Sequence, residues 1–256
     1  MAVLIIAEAG VNHNGDIVLA HKLIDAAKEA GADVVKFQTY DCEKLDPSGE
    51  RREMLRKLQL TIDAHFVLKA HCDRIGIEFC STPFDVESLH FLVKLGVKRI
   101  KIASGQDWLL PHATKTGLPI IISNGMGFGE ICGGDVTTLH CTSGYPTPDN
   151  EVHLRAHPFG PDPWGLSDHT EGSVAAIGAV ALGASVIEKH LTLDRTMKGP
   201  DHKASIEPKT FKRMVTDIRR MEVMLGDGVK RVMPSEAPAL AIAKERAAWR
   251  AQLSLV

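Results

Sequence analysis

A repeated unit of helix, glycine and short apolar strand restricts the fold of this sequence more than any other feature. In each copy a helical pattern ends at a glycine, and a short run rich in β-branched residues follows. Glycine is favoured there because it accepts the left-handed conformation that ends many helices. The copies begin at Gly31, Gly76, Gly96, Gly117 and Gly183. Such alternation is typical of parallel strands joined by crossover helices.

Eight strands can be counted in this way. They are predicted over residues 3–7, 34–37, 78–80, 99–103, 119–123 and 136–139, a short run ending near 166, and 186–188. Eight parallel strands predict an α/β protein of the (β/α)8 class, a TIM barrel. An open sheet that binds a dinucleotide is disfavoured, since no G-x-G-x-x-G follows the first strand.

The connections between the strands are uneven. Asp16, Thr61 and Asp85 are good N-caps for outer helices, and Pro208 suits a first helical position. The stretches 124–135 and 142–164 lack helical periodicity; the first is rich in glycine and the second holds five prolines. We therefore expect the outer helices after strands 5 and 6 to be shortened or missing, with another subunit covering the exposed face.

The domain organisation predicted from the sequence is a barrel with a short extension. No change in composition marks a second large domain within the 256 residues. Residues 1–226 are predicted to form the barrel. Residues 227–256 are predicted to form a loop and a helix, from 235 to about 252, that pack on the barrel.

Composition excludes several functional classes. The net charge is −2 and aromatic residues make up 5%, so neither a basic field nor a stacking platform for nucleic acid is expected. No apolar run approaches the roughly 18 residues of a membrane span. Five scattered cysteines form no C-x-x-C pair, which favours reduced thiols in a cytoplasmic protein.

Polar residues stand at or just after the end of all eight predicted strands, where barrel enzymes place their chemistry. One or two such residues would mean little, but a polar residue at every strand end predicts a polar ligand pocket. In strand order the residues are Glu8; Lys36 and Gln38; Ser81 and Thr82; Lys101, Ser104 and Gln106; Ser123 and Asn124; His140, Thr142 and Ser143; Ser167, Asp168 and His169; Glu188, Lys189 and His190.

Two lysines and two histidines in this set carry the strongest chemical signal. Lys36 and Lys101 lie within otherwise apolar strands, where they form either structural ion pairs or a cationic floor for an anion. His169 and His190 end consecutive strands and could share one divalent metal, with water and substrate completing the coordination. We interpret the histidines outside the strand ends as surface or helix residues: His21, His65, His71, His90, His112, His153 and His157. His202, beside Asp201 in a loop, is left open.

The motifs around these residues resemble the sialic acid synthase family, which makes N-acetylneuraminate and related nonulosonic acids. The segments that carry the resemblance are AEAGVNHNG from Ala7, VKFQT from Val35, STPFD from Ser81, KIASG from Lys101, LHCTSGYP from Leu139, GLSDHT from Gly165, EKH from Glu188 and GPD from Gly199. They occur in family order between residue 5 and about residue 225.

The resemblance implies condensation of phosphoenolpyruvate (PEP) with the open-chain aldehyde of an N-acyl-mannosamine-type sugar. By position it implies PEP contacts from Lys36, Gln38, Thr82, Lys101, Ser104, Ser143 and Ser167, and sugar contacts from Asn14, Tyr145 and Asp201. It implies that His169 and His190 bind Mn²⁺ or Mg²⁺, and that Lys36, Lys101, Gln106 and Asp201 take part in catalysis. Family habit also predicts a homodimer.

The shortened connections after strands 5 and 6 stand where family members have outer helices. The sequence departs from the family pattern in two further ways. Gln106 stands where the family usually carries a carboxylate, and an amide cannot exchange a proton. The family usually continues into a small antifreeze-like domain where this sequence ends. Two alternatives therefore stay open: a barrel that binds PEP and metal without turnover and serves as a partner subunit, and a related 3-deoxy-sugar-acid phosphate synthase.

Overall fold

Eight strands form the frame of the protein in a computed structural model. The structure describes residues 2–46, 48–127, 135–156 and 163–253, and for residues 252 and 253 it describes the backbone alone. Their bounds are β1 Leu4–Gly10, β2 Val34–Thr39, β3 Glu78–Pro83, β4 Ile100–Ile102, β5 Ile120–Ser123, β6 Val136–Cys141, β7 Trp164–Asp168 and β8 Val186–His190. All ladders between them are parallel, in the order β3-β2-β1-β8-β7-β6-β5-β4. The end strands β3 and β4 contact each other, so the predicted (β/α)8 barrel is confirmed.

Helices connect the strands. Their bounds are α1 Ile17–Glu29, α2 Cys42–Leu45, α3 Arg52–Leu58, α4 Ile62–Ile75, α5 Val86–Leu95, α6 Leu110–Ala113, α7 Val174–Ala181, α8 Pro208–Leu225 and α9 Ala237–Leu253. The predicted caps of α1, α4 and α5 are confirmed: Asp16, Thr61 and Asp85 each accept a hydrogen bond from a backbone N–H of the first turn. The small helices α2 and α3 were not predicted, since both lie in one long polar connection.

The connections after β5 and β6 are thin, as predicted. Their described residues contain only single 3₁₀ turns, at Gly125–Gly127, Asp149–Glu151 and Leu154–Ala156. Residues 128–134 and 157–162, with Cys132 and His157, lie outside the described residues. The connection after β4 is also reduced, because α6 has only four residues. The other four cysteines are free thiols, as expected.

The chain divides into two compact units, one up to residue 223 and one from residue 224 onwards. The first unit is the barrel, and the second contains α9. Packing of residues 227–256 on the barrel stays a prediction.

The barrel interior is apolar at its base and polar at its top. Ile6, Val34, Cys80, Ile121, Leu139 and Val186 form a buried cluster inside the ring. Side chains alternate between the two faces of a strand, so residues two positions further along point into the same space. Those positions hold Glu8, Lys36, Thr82, Ser123, Cys141 and Glu188, all of which line a cavity. This alternation positions the candidate site at the carboxyl ends of the strands.

Candidate active site

The cavity at the top of the barrel has a volume of about 270 Å³ and draws residues from every strand or the loop that follows it. It is lined by Glu8, Lys36, Gln38, Thr82, Phe84, Lys101, Ala103, Ser104, Ser123, Met126, Cys141, Ser143, Tyr145, Ser167, His169, Glu188, His190 and Asp201. Of the thirteen site residues that the family resemblance implies, eleven line this cavity, all except Asn14 and Gln106.

Four buried charged side chains form the floor of this cavity. Lys36 Nζ lies 2.8 Å from Glu8 Oε2 and 3.6 Å from Glu188 Oε2, while Lys101 Nζ lies 3.7 Å from Glu188 Oε1. Each of the four is at most 4% exposed. Of the two interpretations left open for the lysines, the ion pairs are present, and both lysines also face the cavity.

The floor holds its two carboxylates in different electrostatic states. Burial raises the pKa of Glu8 to about 7, although Lys36 opposes this shift. Burial also acts to raise the pKa of Glu188, but Lys101 and Lys36 outweigh it and lower that pKa to about 2. Burial acts to lower the pKa of Lys36, yet Glu188 and Glu8 outweigh it and raise the value. Glu188 is therefore a fixed anion near neutral pH, whereas Glu8 can gain or lose a proton.

Hydroxyl groups complete the polar floor. Lys36 Nζ donates to Thr82 Oγ1 at 2.9 Å, and Lys101 Nζ donates to Ser123 Oγ at 2.8 Å. Ser167 Oγ donates to Glu188 Oε1 at 2.9 Å. These bonds orient the ammonium groups. Lys36 Nζ also lies 2.8 Å from Glu8 Oε2, and Lys101 Nζ also donates to the Ile102 carbonyl at 3.0 Å, so each lysine has one N–H left for an anion.

Two more serines converge beside the floor, around Gly125. A Cβ atom at Gly125 would meet Ser143 Oγ and would lie 2.8 Å from Ser104 Oγ and 3.3 Å from Cys141 Sγ. The Gly125 N–H donates to Ser104 Oγ at 2.9 Å. The missing side chain of this glycine therefore leaves room for the two serine hydroxyls, and both serines line the cavity.

His169 and His190 lie side by side at the rim, with ring centroids 5.3 Å apart. Tyr145 packs against both, with its ring centroid 4.2 Å from that of His169 and 5.7 Å from that of His190. His190 Nδ1 is 3.8 Å from Asp201 Oδ2. Burial lowers the pKa of His190 well below its ordinary value, so this imidazole is neutral and able to act as a ligand.

The two imidazoles fit a divalent cation. His169 Nδ1 donates to the Thr142 carbonyl at 2.9 Å, which leaves Nε2 with its lone pair, and such a bond commonly orients metal-binding histidines. His190 Nδ1 is buried without a hydrogen-bond partner. Among the described residues, no three His, Cys, Asp or Glu side chains form a group that could hold a metal. A cation at this pair would therefore take two ligands from the described residues, with water and substrate completing its coordination.

Cys141 is a cavity residue that the sequence analysis missed. Its Sγ lies 3.6 Å from Ser104 Oγ and 3.9 Å from His169 Nδ1. Burial acts to raise its pKa, but His169, the Ser104 hydroxyl and Lys101 together lower it. The alternation along β6 could have identified this residue, because Cys141 follows the inward-facing Leu139 by two positions.

Asn14 and Gln106 lie outside the lining of the cavity. Asn14 Nδ2 donates to the Lys198 carbonyl at 3.0 Å, and its Oδ1 lies 3.2 Å from His202 Nε2. Gln106 follows a turn beyond β4, and its Oε1 accepts a hydrogen bond from Trp108 Nε1 at 3.0 Å. Both amides therefore have hydrogen-bond partners away from the cavity lining. His140, also at a strand end, donates from Nε2 to the Val152 carbonyl and does not line the cavity.

These features define a class: a TIM-barrel protein with a buried cationic floor and a pair of histidines at the carboxyl ends of its strands. The sequence matches a model of the NeuB family over residues 23–230, and the chain belongs to that family.

Curated relatives agree with this assignment. The N,N'-diacetyllegionaminic acid synthase of Campylobacter jejuni is 44% identical over 91% of this chain and 80% of its own length. The human N-acetylneuraminate-9-phosphate synthase is 35% identical, over 91% and 74% respectively.

Solved structures agree as well. The N-acetylneuraminic acid synthetase of Leptospira borgpetersenii, crystallised with citrate, superposes with a TM-score of 0.85 at 34% identity. The match covers 95% of this chain and 92% of that one. A truncated 3-deoxy-D-arabino-heptulosonate 7-phosphate synthase from Thermotoga maritima, at 16% identity and a TM-score of 0.66, has the same fold. Within the described part of the chain, none of the helices combines the length and apolar character needed to cross a membrane.

Proposed function

We propose that this protein condenses PEP with the open-chain aldehyde of an N-acyl-mannosamine-type sugar to give a nonulosonic acid and inorganic phosphate. A carbon–carbon bond forms between the PEP methylene and the aldehyde carbon, water adds at the adjacent carbon, and phosphate leaves. One observation carries the proposal: two buried lysines form the floor of a cavity whose rim holds two neighbouring histidines. The family membership and the names of the relatives support it.

The floor is suited to a ligand that bears both a carboxylate and a phosphate. Lys36 and Lys101 supply two cations, and their ion pairs with Glu188 keep both aimed into the cavity. Hydrogen bonds to a charged ligand are stronger than neutral ones, particularly in a site shielded from water. Further donors to PEP come from Gln38, Thr82, Ser104 and Ser143. Ser167, whose proton goes to Glu188, is proposed as a PEP contact by family position.

His169 and His190 would hold a divalent cation, Mn²⁺ or Mg²⁺, above this floor. When bound, such an ion polarises a carbonyl oxygen and stabilises the charge that develops on it. The chain's own contribution is to orient His169 and to keep His190 neutral; the neighbouring Cys141 outweighs burial and raises the pKa of His169, so a cation would have to displace any proton on that ring. The Thr142 carbonyl fixes the tautomer of His169, and burial keeps His190 unprotonated.

Asp201 and Tyr145 are the proposed sugar contacts at the mouth of the cavity. Burial raises the pKa of Asp201, and this carboxyl group lies beside His190. Asp201 can therefore exchange a proton with a hydroxyl of the sugar or with water. Asn14 and Gln106 are proposed by family position alone. Glu188 stays ionised and holds the lysines, so Glu8 is the floor carboxylate able to take up a proton near neutral pH.

The test is an assay with PEP, Mn²⁺ and a panel of N-acyl-mannosamine-type sugars, which measures both phosphate release and the nonulosonic acid. We expect equal amounts of the two products with at least one sugar. His169→Ala and His190→Ala should each lower the rate at least about 100-fold, because a metal ligand contributes several kcal/mol to the transition state.

His90→Ala is the matched control, because His90 is exposed on α5 away from the cavity. It should retain the wild-type rate. Binding of PEP without product for any sugar would refute the synthase proposal in favour of a barrel without turnover. Full wild-type turnover in chelator would refute the metal assignment. A cytoplasmic location and a homodimer are also proposed, the latter to be measured by sedimentation.

A further inference from the structure

A second ion pair lies directly behind the proposed metal ligands, on the outer face of the barrel. Asp168 and Lys189 are register partners on β7 and β8, next to Ser167 and Glu188 on the inner face. Lys189 Nζ lies 2.9 Å from Asp168 Oδ2, and both side chains are fully buried. Neither residue lines the cavity. The chemistry proposed above therefore leaves this pair without a role.

The contacts of the pair bracket His169 on both sides. Asp168 Oδ1 accepts hydrogen bonds from the backbone N–H of Thr170 at 2.9 Å and from its hydroxyl at 2.8 Å. Lys189 Nζ donates to the Thr170 carbonyl at 2.6 Å. The residues before and after His169 are thus tied to the residue before His190.

Burial of two charges is costly, and an apolar pair of similar size would commonly give equal or greater stability. The pair therefore calls for an explanation other than stability, and its contacts give one. Groups behind metal ligands orient them, and their loss typically weakens metal affinity about 10- to 100-fold. The arrangement differs from a hydrogen bond to the imidazole itself, because here the backbone on both sides of the ligand is held.

We propose that Asp168, Lys189 and Thr170 are positioning residues that set the separation of His169 and His190. This inference rests on the proposed function, since it assigns a purpose to the spacing of its metal ligands. It concerns two residues on the outer face of the strands and one just after β7, none of which lines the cavity.

The test uses the double variant Asp168→Asn/Lys189→Met, which removes both charges and keeps an acceptor for Thr170. Mn²⁺ affinity is measured by calorimetry without substrates. We expect a loss of at least about tenfold, with the far-ultraviolet circular dichroism of wild type. Glu78→Gln/Arg99→Met is the matched control, because that pair also joins neighbouring strands, at 2.6 Å, but lies far from the rim. It should leave Mn²⁺ affinity unchanged.

Two further measurements decide the remaining outcomes. Thr170→Val removes only the hydroxyl contact to Asp168, so it keeps the charges and should weaken Mn²⁺ binding at least twofold even if the double variant does not fold. Imidazole ¹⁵N resonances of His169 and His190, recorded in metal-free protein, should shift in these variants and not in the control.

The outcomes separate the two proposals. Unchanged resonances and unchanged affinity in a folded variant would overturn the positioning role. Wild-type protein that binds no Mn²⁺ would remove the metal site from the proposed function, while the resonances alone would then decide whether the outer pair positions the rings.

Discussion

Glu8 and Glu188 show how two carboxylates beside the same lysine acquire different properties. Glu188 lies between Lys36 and Lys101 and accepts a hydrogen bond from Ser167. Glu8 is paired at short range with Lys36 alone. Because burial penalises both anions, the number of nearby cations decides which one stays ionised.

The raised pKa of Glu8 predicts a dependence of stability on pH. Between the ordinary value of 4.5 and about 7, folded Glu8 binds a proton that the unfolded chain has released. The contribution of Glu8 is thus complete below pH 4.5 and is lost as the pH rises to 7. Relative to Glu8→Gln, the free energy of unfolding of wild type should fall by on the order of 3 kcal/mol across this window. Urea titrations at several pH values measure it.

Glu188→Gln provides the comparison of opposite sign. The pKa of Glu188 is lowered to about 2, so its contribution is present above pH 4.5 and is lost as the pH falls toward 2. The same titrations at acid pH test this. Parallel profiles of wild type and Glu8→Gln between pH 4.5 and 7 would contradict the assignment of a raised pKa to Glu8.

At the scale of single elements, β7 depends on a glycine in its interior. A Cβ atom at Gly165 would meet the Val186 carbonyl oxygen and lie 2.6 Å from Leu139 Cδ2. One clash is with the backbone of the neighbouring strand β8. Unlike a side chain, that backbone cannot relieve the clash by changing rotamer. Gly165→Ala should destabilise the barrel by at least about 2 kcal/mol, measured by urea unfolding.

Gly144→Ala is the matched control for this prediction. A Cβ atom at Gly144 finds its nearest atom, Thr147 Oγ1, at 3.6 Å, which is ordinary contact. The change should cost less than about 1 kcal/mol. Equal stabilities of the two variants would mean that β7 and β8 can separate enough to admit the methyl group.

The elements were predictable where their periodicity is strong. Runs such as Ile120–Ser123 are short, apolar and β-branched. Helix caps such as Asp85 can be recognised from the residues next to them in the sequence. The helices α2 and α3 were missed because they are short and are stabilised by residues distant in the sequence. Leu58 of α3, for example, is buried against Val11 and Tyr40.

At the scale of the whole molecule, the cavity floor joins residues from seven strands and should respond to ligand as a unit. PEP at 100 times its dissociation constant should stabilise the folded state by about 2.7 kcal/mol. For a barrel of this size that corresponds to about 5–10 °C in the midpoint of thermal unfolding. Lys36→Met and Lys101→Met should each abolish the shift.

Lys98→Met serves as the control for that measurement, because Lys98 is exposed beyond the opposite ends of the strands. It should keep the full shift. A shift that survives in Lys101→Met would contradict the role of the floor as the anion site.

The sequence could predict which residues gather in this cavity, but not how they pair. The position of Lys36 at a strand end is visible locally, whereas its pairing with Glu188 joins residues 152 positions apart and depends on closure of the barrel. Asn14 was likewise placed in the site by motif, whereas its amide bonds Lys198, 184 positions away; Gln106 was placed there by motif too, but its amide bonds Trp108, two residues along the chain.

The distribution of the floor residues has a consequence for the newly made chain. Glu8 comes from the first strand, and Glu188 comes from the last strand to emerge during synthesis. A chain that ends before β8 lacks Glu188, which pairs with Lys36 and Lys101, and cannot close the ring around them. We therefore expect such a fragment to lack the stabilisation by PEP that the complete barrel shows.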